Sequence, residues 1–122
     1  MSKSSSLRQL VDLWFLCWKE GDYMNLPLHE SFVHVSPYGS IEGKDQYLQI
    51  VKDNESLFVD NELSLHEQLF SEECACVRYT MKSPSSEMEV SEWFYPQDGL
   101  IKKIVAYYDT AIEKKGGRGL DL

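Results

Sequence analysis

The strongest hydrophobic pattern in the chain predicts an amphipathic helix near the N terminus. Apolar side chains recur there at the three- and four-residue spacing of one helical face; they are Leu7, Leu10, Val11, Trp14, Cys17 and Trp18. Serines 4–6 can cap the start of this helix, and Gly21 suits the left-handed residue that follows a helix end. We expect the two tryptophans, one turn apart, to form walls of the core.

Two shorter patterns follow. Residues 31–36 are predicted to be extended, because aromatic and β-branched side chains favour a strand there and Pro37 then ends it. Residues 44–54 are predicted to form a short second helix with one apolar face, made of Tyr47, Leu48 and Val51. A helix, a strand and a second helix therefore make up the first half of the chain.

From residue 63 the pattern changes from helical to alternating. It predicts strands over 63–69, 74–82, 87–95 and 100–108, joined by short turns rich in Ser, Pro, Asp and Gly. Connections this short join antiparallel neighbours. Helices followed by an antiparallel meander predict an α+β domain with the helices packed on one face of a curved sheet.

Apolar side chains occupy both faces of these predicted strands. Within 87–95, Val90 and Phe94 lie on one face, whereas Trp93 and Tyr95 lie on the other. The helices can cover only one face, and large exposed apolar patches mark interaction surfaces. We therefore expect a homodimer that forms through the sheet.

Length and composition indicate one globular domain. The chain has 122 residues, of which 43% are hydrophobic and 26% charged, close to the averages for soluble domains. We assign residues 7–113 to the domain, residues 1–6 to a flexible N terminus and residues 114–122, which are rich in glycine, to a flexible tail.

A formal charge of −8 argues against nucleic acid and anionic membranes as partners. Neither a membrane-spanning stretch nor a signal peptide is recognisable, so a cytoplasmic location is expected. Three cysteines do not read as a disulfide framework, and Cys74 and Cys76 have no second Cys or His pair at ligand spacing. We predict reduced thiols, no metal and no cofactor.

The order of these elements and motifs resembles the nuclear transport factor 2-like superfamily, in particular its SnoaL-like branch. The resemblance covers residues 7–112 and rests on Pro37-Tyr38-Gly39, Ile41-Glu42-Gly43-Lys44, Ser91-Glu92-Trp93-Phe94-Tyr95, Asp98-Gly99-Leu100-Ile101 and Tyr107-Tyr108-Asp109. It implies a cone-shaped α+β barrel that encloses an apolar pocket, commonly in a dimer. Members include isomerases, cyclases, dehydratases, epoxide hydrolases and non-enzymatic modules, so the fold leaves the activity open.

The resemblance also allows site residues of known members to be compared with the residues at the matching positions of this chain. Ketosteroid isomerases place a general-base Asp where this chain has Ser36 and an oxyanion-binding Tyr where it has Trp14, and both departures count against that mechanism. SnoaL-type cyclases place an acid/base Asp near the end of the last strand, where Asp109 falls.

His34 and Asp109 are the candidate catalytic residues. His34 shares the face of Ser36, which in this family looks into the pocket, and a His in an apolar cavity can serve as a general base. A core His bonded to the backbone, or an exposed one, is the alternative. Asp109 can orient His34 or act as an acid, or instead cap a terminal helix.

The register of the last strand decides whether Asp109 faces inward. Ile101 and Ile104 differ in parity, and a bulge between them would replace Tyr107 and Asp109 by Tyr108 on the inner face.

Glu92 lies on an otherwise apolar stripe with Val90 and Phe94. Burial would raise its pKa, and a cross-strand ion pair with Arg78 is the simpler interpretation.

A pocket of this composition suits a small hydrophobic or aromatic molecule. The predicted ligand-binding residues are Trp14, Trp18, Tyr38, Glu92, Phe94 and Tyr107. If the protein is an enzyme, cofactor-free acid/base catalysis of the isomerase, cyclase or dehydratase type on a carbonyl compound is expected. The alternative is a non-catalytic ligand-binding or dimerisation module.

Overall fold

A helix, a two-stranded hairpin and a second helix come first along the chain, and a meander of four strands follows. A computed structural model describes residues 3–110. The α-helices are α1 (Lys3–Glu20) and α2 (Lys44–Asp53), and short 3-10 turns lie at Tyr23–Asn25 and Glu55–Leu57. The strands are β1 (Leu28–Ser36), β2 (Gly39–Glu42), β3 (Glu62–Phe70), β4 (Ala75–Lys82), β5 (Glu87–Gln97) and β6 (Leu100–Tyr107).

The strands form one six-stranded sheet in the order β2-β1-β6-β5-β4-β3. The meander from β3 to β6 is antiparallel, as predicted, and β1 forms a hairpin with β2. The sheet curves without closing, and α1 and α2 pack on its inner face. The predicted α+β class with helices on a curved sheet is therefore confirmed.

Three features differ from the sequence-based expectation. Helix α1 begins at Lys3 rather than Leu7, because serine lowers the stability of a helix only slightly. Strand β2 was not predicted, because a four-residue segment is too short to show an alternating pattern. Its one large apolar side chain, Ile41, lines the cavity. Strands β1 and β6 pair in parallel, which the long excursion of chain between them allows.

The core lies between the helices and the inner face of the sheet. Its fully buried side chains include Leu7, Val11, Leu28, Phe32, Phe94, Ile101 and Ile104. No helix among residues 3–110 has the length and hydropathy that crossing a membrane requires. The predicted flexible tail, residues 114–122, lies outside the described residues.

A β-bulge sets the register of the last strand. Tyr95 pairs with Lys103, whereas Pro96 pairs with Ile101, so Lys102 is an extra residue on β6. Ile101 and Ile104 are both fully buried as a result. Beyond the bulge the inner positions are 106 and 108, while Tyr107 is 60% exposed on the outer face.

Deletion of Lys102 is expected to destabilise the protein strongly. Without the extra residue, either Ile101 or Ile104 must turn to the outer face. This change should lower the free energy of unfolding by about 3 kcal/mol or more. Urea denaturation measures this loss. The control Lys102→Ala keeps the residue count and should change stability by no more than about 0.5 kcal/mol. Equal stability of the deletion variant and the control would contradict the bulge.

Candidate functional site

A cavity of about 390 Å³ lies between the two helices and the inner face of the sheet. Helix α1 contributes Trp14, Phe15 and Trp18, and α2 contributes Tyr47, Ile50 and Val51. The sheet contributes His34, Tyr79, Met81, Met88, Val90 and Glu92, and connecting segments contribute Tyr38, Phe58, Asn61 and Tyr108. Its size and mostly apolar, aromatic walls are those of a small-molecule site.

Glu92 is a buried carboxyl group in this cavity. It lies on the inner face of β5 between Val90 and Phe94, and its side chain is only 4% exposed. The Tyr79 hydroxyl donates a hydrogen bond to Oε1 of Glu92 over 3.1 Å. The Trp14 side chain donates a second hydrogen bond to the same carboxyl group. One donor comes from β4 and the other from α1, so the carboxyl joins the sheet to the helix layer.

The pKa of Glu92 is raised to about 7. Burial is the main cause, because it removes water from the charged form, while the hydrogen bonds from Tyr79 and Trp14 act in the opposite direction. Both protonation states of Glu92 are therefore populated near pH 7. A group of this kind can accept a proton and return it, which is the requirement for general acid–base catalysis.

The ion pair between Arg78 and Glu92 considered from the sequence is absent from the described residues. Arg78 stands opposite Ser91 in the β4–β5 pairing and lies on the outer face, where it pairs with Glu67 at 2.8 Å and Glu89 at 3.7 Å. Glu92 stands opposite Val77 and points inward. Adjacent strand residues face opposite sides of a sheet, so this register prevents the contact.

His34 lines the cavity from β1. Its ring stacks on that of Tyr47, with centroids 5.2 Å apart and an interplanar angle of 27°. Burial lowers the pKa of His34 to about 4. At neutral pH the imidazole is therefore uncharged, able to donate and accept hydrogen bonds but only weakly basic.

Two buried tyrosines, Tyr47 and Tyr79, add hydroxyl groups to the cavity. Tyr47 and Tyr79 are both buried, and burial, together with the nearby Glu92 charge, raises the pKa of each well above its ordinary value. Both hydroxyls stay protonated at physiological pH. Tyr79 donates to Glu92, and Tyr47 lies close enough for the Glu92 charge to affect it.

The structure brings five of the eight sequence-predicted site residues to the cavity: Trp14, Trp18, His34, Tyr38 and Glu92. Phe94 lies beside the cavity in the core, with its ring against those of Trp14 and Phe15. Tyr107 and Asp109 are exposed and outside the lining, because the bulge in β6 turns positions 106 and 108 inward instead. A helix cap at Asp109 involves residues from 111 onward, which lie outside the described residues.

Sequence reasoning missed the contribution of the segment after α2. Phe58 and Asn61 line the cavity there, and the Phe58 ring contacts Trp18 at 5.1 Å. The apolar run Leu57-Phe58-Val59 was the available signal, but a loop has no periodicity to indicate which of the three side chains points inward. Among residues 3–110 no group of His, Cys, Asp or Glu side chains could hold a metal ion.

Comparison with known proteins gives structural matches only. No family model and no curated protein sequence matches the chain. A Kribbella flavida protein provisionally named a ketosteroid isomerase is 18% identical, with a TM-score of 0.79, over 91% of this chain and 83% of its own. A SnoaL-like protein of unknown function from Burkholderia thailandensis is 17% identical, with a TM-score of 0.74, over 86% and 95%. An LEH-like epoxide hydrolase from M. tuberculosis is 15% identical, with a TM-score of 0.76, over 93% and 90%.

This chain has the nuclear transport factor 2-like fold. The fold expected from the sequence resemblance is thus confirmed by structural neighbours described as NTF2-like, SnoaL-like and isomerase-like. At sequence identities of 15–18%, these neighbours show a shared fold but do not show a shared activity. Within the NTF2-like fold, the side chains in the cavity must therefore indicate the function.

The stability of Glu92→Gln relative to the wild type is expected to rise between pH 5 and pH 8. The pKa of Glu92 is higher in the folded protein than in the unfolded chain, so the wild type is favoured below about pH 4.5 and loses stability as the pH rises through 7. The loss approaches roughly 3 kcal/mol and cannot occur with Gln. Urea denaturation of both proteins at the two pH values measures it.

Glu89→Gln is the matched control, because Glu89 lies on the same strand with its side chain 64% exposed. Its stability difference from the wild type should stay constant between the two pH values. The lowered pKa of His34 affects all three proteins equally and cancels. A pH-independent difference for Glu92→Gln would contradict a carboxyl group that is protonated by burial.

Proposed function

We propose that the cavity binds a small hydrophobic or aromatic carbonyl compound and that Glu92 performs cofactor-free acid–base chemistry on it. The observation that carries this proposal is the Glu92 carboxyl group, buried in the cavity and held by Tyr79 and Trp14. Two structural neighbours carry the names of enzymes, an isomerase and an epoxide hydrolase, which supports small-molecule chemistry without selecting a reaction.

Proton transfer next to the carbonyl group is the step that these residues suit. The ionised Glu92 removes a proton from the carbon beside the carbonyl. The electron pair of the broken C–H bond forms a C=C bond, and the π pair of the C=O bond moves onto the oxygen. The Tyr47 hydroxyl donates a hydrogen bond to that oxygen as negative charge develops. Glu92 then returns the proton to carbon, at the same or a conjugated position.

Glu92 takes the base role that the sequence gave to His34. An imidazole whose pKa is lowered to about 4 accepts protons poorly at neutral pH, whereas a carboxyl group with a pKa of about 7 is matched to the task. His34 stays in the proposal as an uncharged hydrogen-bonding group beside Tyr47. Asp109 has no part in the proposed step.

The test uses 2-tetralone, a flat bicyclic ketone with exchangeable hydrogens beside its carbonyl. In D₂O we expect the wild type to accelerate exchange of these hydrogens, followed by NMR, and Glu92→Gln to slow the catalysed rate by about 100-fold or more. The control Glu89→Gln should match the wild type. A folded Glu92→Gln protein that exchanges tetralone as fast as the wild type would refute the role of Glu92.

A second candidate function is a non-catalytic dimerisation module, and the outer face of the sheet favours it. Side chains paired across five strands form a continuous outer apolar row: Val35, Val105, Trp93, Cys76 and Leu69. Trp93 is 36% exposed and Leu69 is 74% exposed. We propose that a second copy of the chain covers this row, since a continuous apolar patch on a sheet face can serve as a self-complementary two-fold interface.

Light scattering tests the dimer. The wild type should show twice the chain mass of 14.1 kDa at micromolar concentration, and Trp93→Lys should show the mass of one chain. Leu57→Lys changes an exposed apolar residue outside the row and should remain dimeric. A wild-type monomer across this concentration range would refute the interface.

A cytoplasmic location remains part of this proposal. It is supported by Cys17, Cys74 and Cys76, which are all free thiols in the structure and so suit a reducing compartment.

A further inference from the structure

The charges around Glu92 are unbalanced. Among the described residues that line the cavity, Glu92 is the sole carboxylate and neither Lys nor Arg occurs. The polar and titratable side chains that share the cavity with it include Trp14 from α1, Tyr47 from α2, His34 from β1, Tyr79 from β4 and Tyr108 after β6. None of these is a cation at neutral pH. An ionised Glu92 thus has no counter-ion among the described residues that line the cavity, which is a costly state for a buried charge.

The walls beside Glu92 are aromatic. The ring planes of Trp14 and Tyr47 differ by 30°, with centroids 6.4 Å apart, and the His34 ring stacks on that of Tyr47. Tyr79 and Phe15, which also line the cavity, contact each other edge to face with ring centroids 5.2 Å apart. Aromatic faces attract organic cations, most strongly where water is excluded.

We propose that the cavity binds protonated amines with a flat apolar body, with the ammonium group paired to the Glu92 carboxylate. The proposal rests on the same cavity as the proposed function and goes beyond it to a second class of ligand, which occupies Glu92 in place of a carbonyl substrate. The ammonium supplies a counter-ion that the described cavity lining does not contain, and the apolar body fills the aromatic part of the cavity. A carboxylate ligand is repelled by the negative charge of Glu92, and the described lining contains neither Lys nor Arg to offset that repulsion. We therefore expect carboxylate ligands to be excluded.

Binding of such an amine is coupled to a proton. When Glu92 is protonated, the incoming ammonium displaces the carboxyl proton to the buffer and leaves a carboxylate–ammonium pair. When Glu92 is already ionised, no proton is released. The affinity for the amine therefore rises with pH until Glu92 is ionised and then levels off while the amine stays protonated.

Three ligands with one bicyclic skeleton test the proposal: 2-aminotetralin, 2-tetralone and tetralin-2-carboxylate. At pH 8, titration calorimetry with the wild type should give a Kd for the amine at least tenfold below that of the ketone. The carboxylate should bind at least tenfold more weakly than the ketone. In Glu92→Gln the amine and ketone should bind about equally, whereas Glu89→Gln should keep the wild-type order.

Proton release provides a readout that a merely structural Glu92 would not change. At pH 6, calorimetry in two buffers of different ionisation enthalpy should report release of about one proton per amine bound, and none in Glu92→Gln. Amine binding no tighter than ketone binding, or without proton release, would overturn the proposal. If tetralone exchange still depended on Glu92, the proposed function would survive that failure, whereas no binding of any of the three ligands would overturn both.

Discussion

The hydrogen bonds that Tyr79 and Trp14 donate to Glu92 join the sheet to the helix layer inside the cavity. A carboxyl group in an apolar interior costs several kcal/mol unless it is neutral or hydrogen-bonded. Here it has two donors, one from β4 and one from α1. The protonation of Glu92 and the chemistry proposed for the cavity both depend on this arrangement.

Alternation along single strands was sufficient to predict which side chains share a face. Glu92 was placed with Val90 and Phe94, and all three are buried on the inner side. His34 was placed on the face of Ser36, and both line the cavity. These predictions hold because a strand has a period of two wherever its pairing is regular.

Sequence reasoning did not settle matters that depend on a neighbouring strand. The bulge at Lys102 exists because both Ile101 and Ile104 must be buried against the core, and this decides that Tyr108 rather than Tyr107 faces inward. Likewise, Arg78 misses Glu92 by one register position. Local patterns contain no information on register between strands, so both registers were compatible with the sequence.

Strand β5 presents its two proposed functions on opposite faces. Glu92 points into the cavity, while the adjacent Trp93 belongs to the outer apolar row. A Met or Leu at position 92 would fill the inner face beside Met88 and Val90 without the cost of a buried carboxyl group, so stability alone does not account for Glu92. Functional sites are where a sequence departs from the locally favoured residue. Because the side chains at 92 and 93 lie on opposite sides of the sheet, substitutions at these positions separate the chemistry of the cavity from assembly through the outer face.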